Sequence, residues 1–207
     1  MSWTQLNYYI ESNPIVGVAL GGLISLGSYR LILKAVQFLL MKSTFVKEKI
    51  LGNQYMEGTW IGCYIGVGGK PRLYIEVFEQ SLDELIIRGK CFELDNSYKG
   101  SWISDTVVID EKRGIMRYTY ESDMLNNSHK NEGIAIFNFE RTNRKTPPQK
   151  LIGYSSDIFN NTKIKSMEKK IDNSQFPTQL DLLEEAHNFL IENKKFFGLT
   201  SPLDNDE

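Results

Sequence analysis

The sequence predicts a mainly β protein: an N-terminal transmembrane helix, then an antiparallel β-barrel of approximately eight strands and a C-terminal amphipathic helix. Three features predict this order: a long apolar run near the N-terminus, short strand-like runs separated by turn residues, and a final stretch with helical periodicity. The expected divisions are a membrane anchor at residues 1–50, a ligand-sensing barrel at 51–172, and a helix with an acidic tail at 173–207.

The composition fits one compact domain with an appendage. The chain has 207 residues, of which 41% are hydrophobic and 12% aromatic, and two full-sized domains would be crowded at this length. Its formal net charge of −2 provides no basic field. Binding to long nucleic acid is therefore not expected, whereas small nucleotide ligands remain compatible with the charge.

The run from Ile15 to Met41 is apolar apart from two basic residues and a few other polar ones. It is long enough to cross a bilayer core of about 30 Å. Basic residues follow its most apolar part, and residues 1–13 contain no lysine or arginine. The positive-inside rule therefore predicts a cytoplasmic barrel. One span is the clearer interpretation, and two shorter spans, at 14–28 and 31–46, are the alternative.

Small residues recur along one side of this predicted helix. Spacings of three and four residues place them on one helical face, where they allow close approach between membrane helices. The predicted packing stripe consists of Gly17, Gly21, Ser25 and Ser28. The alternative is that the stripe faces lipid, since glycine is common in membrane helices.

After residue 53 the pattern changes to β-branched and aromatic runs between turn residues, which is typical of antiparallel strands. Eight such runs suit an up-and-down barrel that is wide enough for one small ligand. A sandwich of two sheets is the alternative. The predicted strands are Met56–Val67, Arg72–Glu79, Leu85–Leu94, Ser101–Ile109, Ile115–Glu121, Gly133–Arg141, Leu151–Phe159 and Thr162–Ile171.

Aromatic rings and mid-strand cations within these runs indicate a ligand pocket. Rings can stack on bases, and arginine can bind a phosphate through its planar fork. Arg88 and Arg117 have apolar neighbours in the middle of their strands, where a solvated lysine would be usual. The alternative is that the rings fill the barrel and the arginines point into water. The rings are Trp60, Tyr64, Tyr74, Trp102, Tyr118, Tyr120 and Tyr154.

Enzymatic and metal chemistry lack convincing residues in the sequence. His129 and His187 have no evident triad partners, and the acidic residues lie at apparent strand ends and turns. Cys63 and Cys91 lack metal-ligand spacing and fit structural thiols. No phosphate-binding glycine loop of the Walker or dinucleotide type occurs. We therefore expect no catalytic residues, no metal and no cofactor.

From Pro177 onward, apolar residues recur at helical spacing opposite a charged face, which predicts an amphipathic helix that packs on another surface. The apolar positions are Leu180, Leu183, Ala186, Phe189 and Leu190.

The order of these features resembles the two-transmembrane, β-strand-rich SMODS-associated effectors of bacterial antiphage systems, the membrane β-barrel effectors of CBASS. The resemblance covers roughly residues 10–170 and rests on the order and spacing of loose motifs. Those motifs are Gly58-Thr59-Trp60-Ile61-Gly62-Cys63-Tyr64, Leu85-Ile86-Ile87-Arg88-Gly89-Lys90, Trp102 with Val107-Val108-Ile109-Asp110, Met116-Arg117-Tyr118-Thr119-Tyr120, Gly133 to Phe139, and Leu151-Ile152-Gly153-Tyr154 followed by Asp157.

The resemblance implies a nonenzymatic defence effector in the bacterial inner membrane. Its cytoplasmic barrel would bind a cyclic dinucleotide second messenger, and the chain would form homo-oligomers that disrupt membrane lipid and cause abortive infection. The Panoptes effector is similar to the same architecture but is held inactive by its ligand, so the sequence leaves the sign of the response open. The implied ligand-binding residues are Tyr64, Arg88, Trp102, Arg117, Tyr118, Tyr120 and Tyr154.

A lipocalin-like membrane-tethered carrier is the alternative function. Gly58 and Trp60 at the start of the first strand are similar to the corresponding part of that fold. Such a carrier would hold a small apolar ligand in its barrel.

Overall fold

The computed structural model describes residues 14–66, 68–125, 130–143, 145–158, 162–172, 175 and 178–199. The helices are α1 (Pro14–Lys42), α2 (Thr44–Leu51), α3 (Gln179–Glu192) and α4 (Lys194–Phe197), and a 3₁₀ turn covers Gly52–Gln54. The strands are β1 (Gly58–Ile65), β2 (Pro71–Gln80), β3 (Leu85–Phe92), β4 (Tyr98–Asp110), β5 (Ile115–Met124), β6 (Asn131–Glu140), β7 (Lys150–Asp157) and β8 (Ile164–Ile171). The chain divides into two compact units, Met1–Lys47 and Glu48–Glu207.

Helix α1 confirms the expected N-terminal helix. It runs without a break for 29 residues, so the alternative of two separate spans is wrong. Among the described residues, none of the helices combines the length and the apolar character needed to cross a bilayer. The expectation of a transmembrane span in this helix is therefore not supported. Its exposed apolar side chains include Ile15, Val18, Leu23, Ile24, Leu31 and Ile32.

The predicted packing stripe lies on α1. Gly21, Ser25 and Ser28 are exposed there, and nothing lies within 4 Å of the position that a side-chain carbon would take at Gly21. Gly17 belongs to the same helix, but its surroundings lie outside the described residues. The role of this stripe in helix packing stays a prediction.

The eight strands form one closed antiparallel barrel in sequence order. Each strand pairs with its sequence neighbour, and β1 also pairs with β8; Trp60, for example, lies between Glu76 of β2 and Lys170 of β8. Closure leaves no open sheet edge. The predicted barrel of eight strands is therefore confirmed, and the two-sheet sandwich is wrong.

A bulge in β4 changes which of its side chains face inward. The register with β5 shifts between Ser104 and Thr106, so that Val107 and Ile109 follow Ser104 on the inner side and pack against the barrel core. The Ser104 hydroxyl oxygen accepts a hydrogen bond from the Ile87 amide at 2.8 Å. Regular pairing between β3 and β4 ends next to the bulge. The Ile87 amide still has a hydrogen-bond acceptor there, because the Ser104 side chain replaces a backbone carbonyl.

One half of the barrel interior is filled by apolar side chains, which we call the interior core. Trp60 stacks on Phe78 with ring centroids 5.0 Å apart, and Tyr118 stacks on Phe137 at 6.1 Å. The other members include Met56, Leu85, Ile87, Met116, Ala135 and Leu151. Within the described residues, the unfilled space of the barrel interior lies in the opposite half.

The segment before β1 covers the filled end. The Gln80 side chain accepts a hydrogen bond from the Met56 amide at 2.6 Å and donates one to the Gln54 carbonyl at 2.9 Å. The Trp60 indole N–H donates to the Met56 carbonyl at 2.9 Å. These bonds hold Met56 in the interior core, where it is fully buried.

The C-terminal helix α3 is confirmed as amphipathic and packs outside β1 and β2. It begins at a capping box: the Thr178 hydroxyl accepts from the Asp181 amide, and the Asp181 carboxylate accepts from the Thr178 amide. Its buried residues join a second, outer core formed with strand residues that point away from the barrel axis. The members of this outer core include Ile61, Cys63, Leu73, Leu183, Ala186, Phe189 and Leu190.

Candidate ligand-binding cavity

The unfilled half of the barrel encloses a cavity of about 400 Å³. The residues around it lie near the ends of β1, β5 and β7 and near the starts of β2, β4, β6 and β8. The volume falls within the usual range of small-molecule sites, about 300–1,000 Å³. The cavity is therefore the natural place in the barrel for a single small ligand.

Five aromatic residues around the cavity pack in two groups. The rings of Tyr64 and Tyr74 lie 5.9 Å apart, and the Tyr74 ring meets Trp102 edge-on at 5.6 Å. Tyr118 and Tyr120 form a further pair at 6.0 Å. All five line the cavity, so that its wall carries adjacent π surfaces. Such surfaces are suited to stacking on a planar ring.

Each of three rings in this wall covers a glycine on the neighbouring strand. The directly paired residues are Tyr74 and Gly62, Trp102 and Gly89, and Tyr120 and Gly133. A side-chain carbon at any of these glycines would overlap the ring that covers it. The glycines therefore allow the rings to lie flat against the barrel wall and leave the space beside them open.

Two cations lie beside the cavity and share one acid. Arg72 pairs with Glu93, and the Lys99 ammonium lies 3.7 Å from the same carboxylate. The Arg72 side chain is only 13% exposed, and both cations belong to the cavity lining. One carboxylate does not neutralise two cations, so this edge of the cavity favours an anionic group.

A pair of buried glutamates lies at the inner side of the cavity. Glu76 and Glu168 are both completely buried. One oxygen of Glu76 accepts hydrogen bonds from the Trp102 indole at 2.9 Å and the Tyr118 hydroxyl at 3.3 Å. One oxygen of Glu168 accepts from the Tyr74 hydroxyl at 3.2 Å. The aromatic wall is therefore tied to these two carboxyl groups.

Burial dominates the protonation of these groups. It raises the pKa of Glu76 to about 7, against the hydrogen bonds from Trp102, Glu168 and Tyr118, which lower it. Burial, together with the neighbouring Glu76, raises the pKa of Glu168 well above its ordinary value. Burial also raises the pKa of Tyr120 to about 12, assisted by Asp157. At neutral pH the tyrosine is uncharged, and the glutamate pair retains at least one proton.

Four of the seven predicted ligand residues lie together at the cavity: Tyr64, Trp102, Tyr118 and Tyr120. The Tyr64 hydroxyl also forms a hydrogen bond with the Cys91 sulfur at 3.1 Å. Their grouping results from strand pairing, which places Glu76, Gly89 and Trp102 in one row across β2, β3 and β4. Side chains in one such row share one face of the sheet.

The other three predicted residues, Arg88, Arg117 and Tyr154, lie on the outer side of the barrel and do not line this cavity, so their role in ligand binding stays a prediction. Arg88 has a side chain that is 51% exposed and pairs with Glu79 at 3.2 Å. Arg117 and Tyr154 flank Ile136 in one row across β5, β6 and β7, next to the inward row that contains Tyr118. Alternation along each strand therefore turns them away from the cavity.

The sequence interpretation also missed polar residues that matter at the cavity. The sequence pattern marks Tyr74 only as a ring and does not distinguish Arg72, Lys99, Glu76 or Glu168 from other polar strand residues. A usable signal was present for two of them, because Arg72 and Glu76 lie two residues on either side of Tyr74 in β2 and must share its face. The approach of Glu168 to Glu76 depends on barrel closure, which the sequence pattern does not encode locally.

No protein-family model matches this chain, and no curated protein matches it either.

Proposed function

We propose that this chain is a nonenzymatic antiphage effector whose barrel binds a cyclic dinucleotide and whose N-terminal helix responds by changing its self-association at the bacterial inner membrane. The observation that carries the proposal is the cavity, which combines an aromatic wall with two cations at one edge. This combination suits a ligand that has both planar bases and negatively charged phosphodiesters.

The aromatic wall supports recognition of the bases. Tyr64, Trp102 and Tyr120 present ring surfaces that a base can stack on without a fixed sequence of hydrogen bonds. Arg72 and Lys99 support recognition of the phosphates, because a guanidinium and an ammonium in a partly buried site attract anions more strongly than they do in water. The polar character of the wall is less suited to the purely apolar ligand of a lipocalin-like carrier.

The exposed apolar surface of α1 supports the second half of the proposal. Large apolar side chains along this helix are exposed in the isolated chain, and exposed apolar surface of this kind is covered by lipid or by other protein chains. The stripe that includes Gly21 and Ser25 offers a face for contact between copies of α1. A ligand that binds one assembly state more tightly would favour that state, which accounts for activation or inhibition by the same cavity.

The test is a thermal-shift series on the full chain in mild detergent with cyclic di-AMP, cyclic di-GMP and cyclic GMP-AMP. A ligand at about 100 times its dissociation constant should stabilise the fold by about 2.7 kcal/mol, whereas the linear mononucleotides AMP and GMP should have much smaller effects. Absence of a shift with every cyclic dinucleotide, together with co-purified lipid in native mass spectrometry, would contradict the proposal and favour the carrier.

Two arginine variants provide matched controls. Arg72→Gln removes a cation from the cavity lining, and Arg88→Gln removes one from the outer wall. We expect the first to weaken cyclic dinucleotide binding by about ten- to a hundredfold, as for loss of a charged hydrogen bond, and the second to leave affinity unchanged. Equal effects of both variants would show that the ligand binds elsewhere.

A further inference from the structure

The two completely buried carboxyl groups beneath the cavity are close enough for each to shift the pKa of the other. Glu76 and Glu168 each use one oxygen to accept hydrogen bonds from the aromatic wall. The second oxygen of each, Oε2, is buried and has no hydrogen-bond donor in the described part of the chain. A buried acceptor without a donor is costly. One proton held between the two groups turns one of them into a donor and satisfies both.

In the part of the chain that the structure describes, neither glutamate is paired with a cation. The titratable groups that face the pair are Tyr74 from β2 and Tyr118 from β5, and burial raises the pKa of both well above the ordinary value. They are neutral around pH 7, so the charge of the pair itself is set by its own two carboxyl groups.

The pair is coupled to the cavity through residues that a ligand would touch. Trp102 and Tyr118 line the cavity with their rings and donate hydrogen bonds to Glu76. Tyr74 likewise lines the cavity and donates to Glu168. Asp157 is an acid of the cavity lining and accepts a hydrogen bond from Tyr120 at 3.4 Å. A negative ligand in this space would therefore repel any charge that the pair carries.

We infer that Glu76 and Glu168 form a proton-binding site, and that an anionic ligand enters the cavity with uptake of a proton at this site. The ligand part of the inference rests on the proposed function. Because both glutamates are completely buried, negative charge on the ligand makes ionisation of the pair less favourable. By linkage, ligand affinity must then fall as the pH rises and the pair loses its proton.

The decisive variant is Glu76→Gln/Glu168→Gln, which keeps the shape of both side chains and removes both titratable groups. Its amides supply permanent donors where the wild-type pair uses a proton. Glu79→Gln is the matched control, because Glu79 is an exposed glutamate on the same strand, β2. Neither substitution changes Arg72 or Lys99 at the edge of the cavity.

Calorimetric titration with cyclic di-AMP, cyclic di-GMP and cyclic GMP-AMP from pH 6 to pH 8, in buffers of different ionisation enthalpy, measures affinity and proton uptake together. In wild type and Glu79→Gln, we expect uptake of up to one proton and a loss of affinity of up to about tenfold per pH unit where the pair titrates. In the double variant, uptake and pH dependence should disappear while binding persists. Wild-type binding without proton uptake would overturn the inference and leave the proposed function intact.

A second measurement tests the proton site without any ligand. The pH dependence of unfolding by urea is compared between wild type and the double variant. A wild-type curve that runs parallel to that of the double variant between pH 5 and 8 would overturn the proton site itself. If no nucleotide binds at any pH but the two unfolding curves diverge, the proton site is supported and the proposed ligand class is wrong.

Discussion

At the scale of single residues, the cavity wall depends on pairs of residues on neighbouring strands. In each pair a large aromatic ring lies against a glycine, which has no side chain. The indole ring of Trp102 lies against Gly89. It occupies the position that a Cβ atom would take if this glycine were replaced by another residue. The same indole donates a hydrogen bond to the buried carboxyl group of Glu76. A change at Gly89 therefore affects the ring, the carboxyl pair and the cavity wall together.

Gly89→Ala should displace the Trp102 ring from its position against β3. We expect a loss of about 1–3 kcal/mol in unfolding free energy, as for overpacked interiors, and weaker ligand binding, both measurable by denaturant unfolding and titration. Gly66→Ala is the control, because its nearest neighbours lie at ordinary contact distances of 3.5 Å or more. Equal stability losses in both variants would contradict this account of the wall.

The buried glutamates also predict how stability depends on pH. The pKa of Glu76 is raised from 4.5 to about 7 in the fold, so the folded chain holds a proton that the unfolded chain has lost in this range. The unfolding free energy should therefore fall as the pH rises from about 4.5 to 7, by roughly 3 kcal/mol from this group. Urea unfolding at pH 5 and pH 8 checks the sign, and a rise in stability would contradict it.

Some of these residue roles could be predicted from the sequence, and others required the register. Tyr64 and Trp102 line the cavity, as expected of large rings in an eight-stranded barrel, and their contact with a ligand stays a prediction. Arg88 and Arg117 have apolar neighbours in the sequence, which suggests burial, but alternation along their strands places both on the outer wall. The local sequence of a strand shows which residues share a face, but it does not show which of the two faces points into the barrel.

At the scale of elements, the strands could be predicted almost completely because each is bounded by turn residues and rich in β-branched and aromatic side chains. The bulge at residues 104–106 in β4 was not predicted, since an extra residue leaves the composition of a strand unchanged. The helix α3 was predicted from its apolar periodicity, but the strands it covers follow only from the barrel. Those strands are β1 and β2.

Leu183→Ala should detach part of α3 from the barrel wall. This side chain is 1% exposed within the outer core, so its truncation should reduce the unfolding free energy by about 2–5 kcal/mol. Leu180→Ala is the control on the same helix, because Leu180 is 66% exposed and should change stability by no more than about 0.5 kcal/mol. Denaturant unfolding of both variants tests whether α3 belongs to the folding unit of the barrel.

Gly21→Leu tests the stripe on α1. The glycine has open space around it in the single chain, so leucine fits the monomer but blocks close approach between two copies. We expect weaker self-association in chemical cross-linking and in analytical ultracentrifugation in detergent, with unchanged ligand affinity. Gly22→Leu, on a different side of the helix, should retain self-association. If cross-linking is unchanged in Gly21→Leu, the stripe does not mediate self-association of α1.

At the scale of the whole molecule, the chain combines a barrel unit that carries a built cavity with an N-terminal unit that carries exposed apolar surface. In the proposed function, binding of a ligand in the barrel cavity changes the self-association of the N-terminal unit. The ligand can shift the equilibrium between two assembly states only by the difference between its binding free energies for those states. Linkage therefore also predicts that forced assembly changes ligand affinity by the same factor.

Fluorescence titration of the full chain with a cyclic dinucleotide, comparing wild type with Trp102→Phe, determines whether the ligand binds in the cavity. Trp102 lines the cavity, whereas Trp60 is completely buried in the interior core. We predict a saturable change in wild-type tryptophan emission that Trp102→Phe loses. A cyclic dinucleotide that binds by calorimetry but leaves Trp102 emission unchanged, or no binding at millimolar ligand, would contradict binding in the cavity.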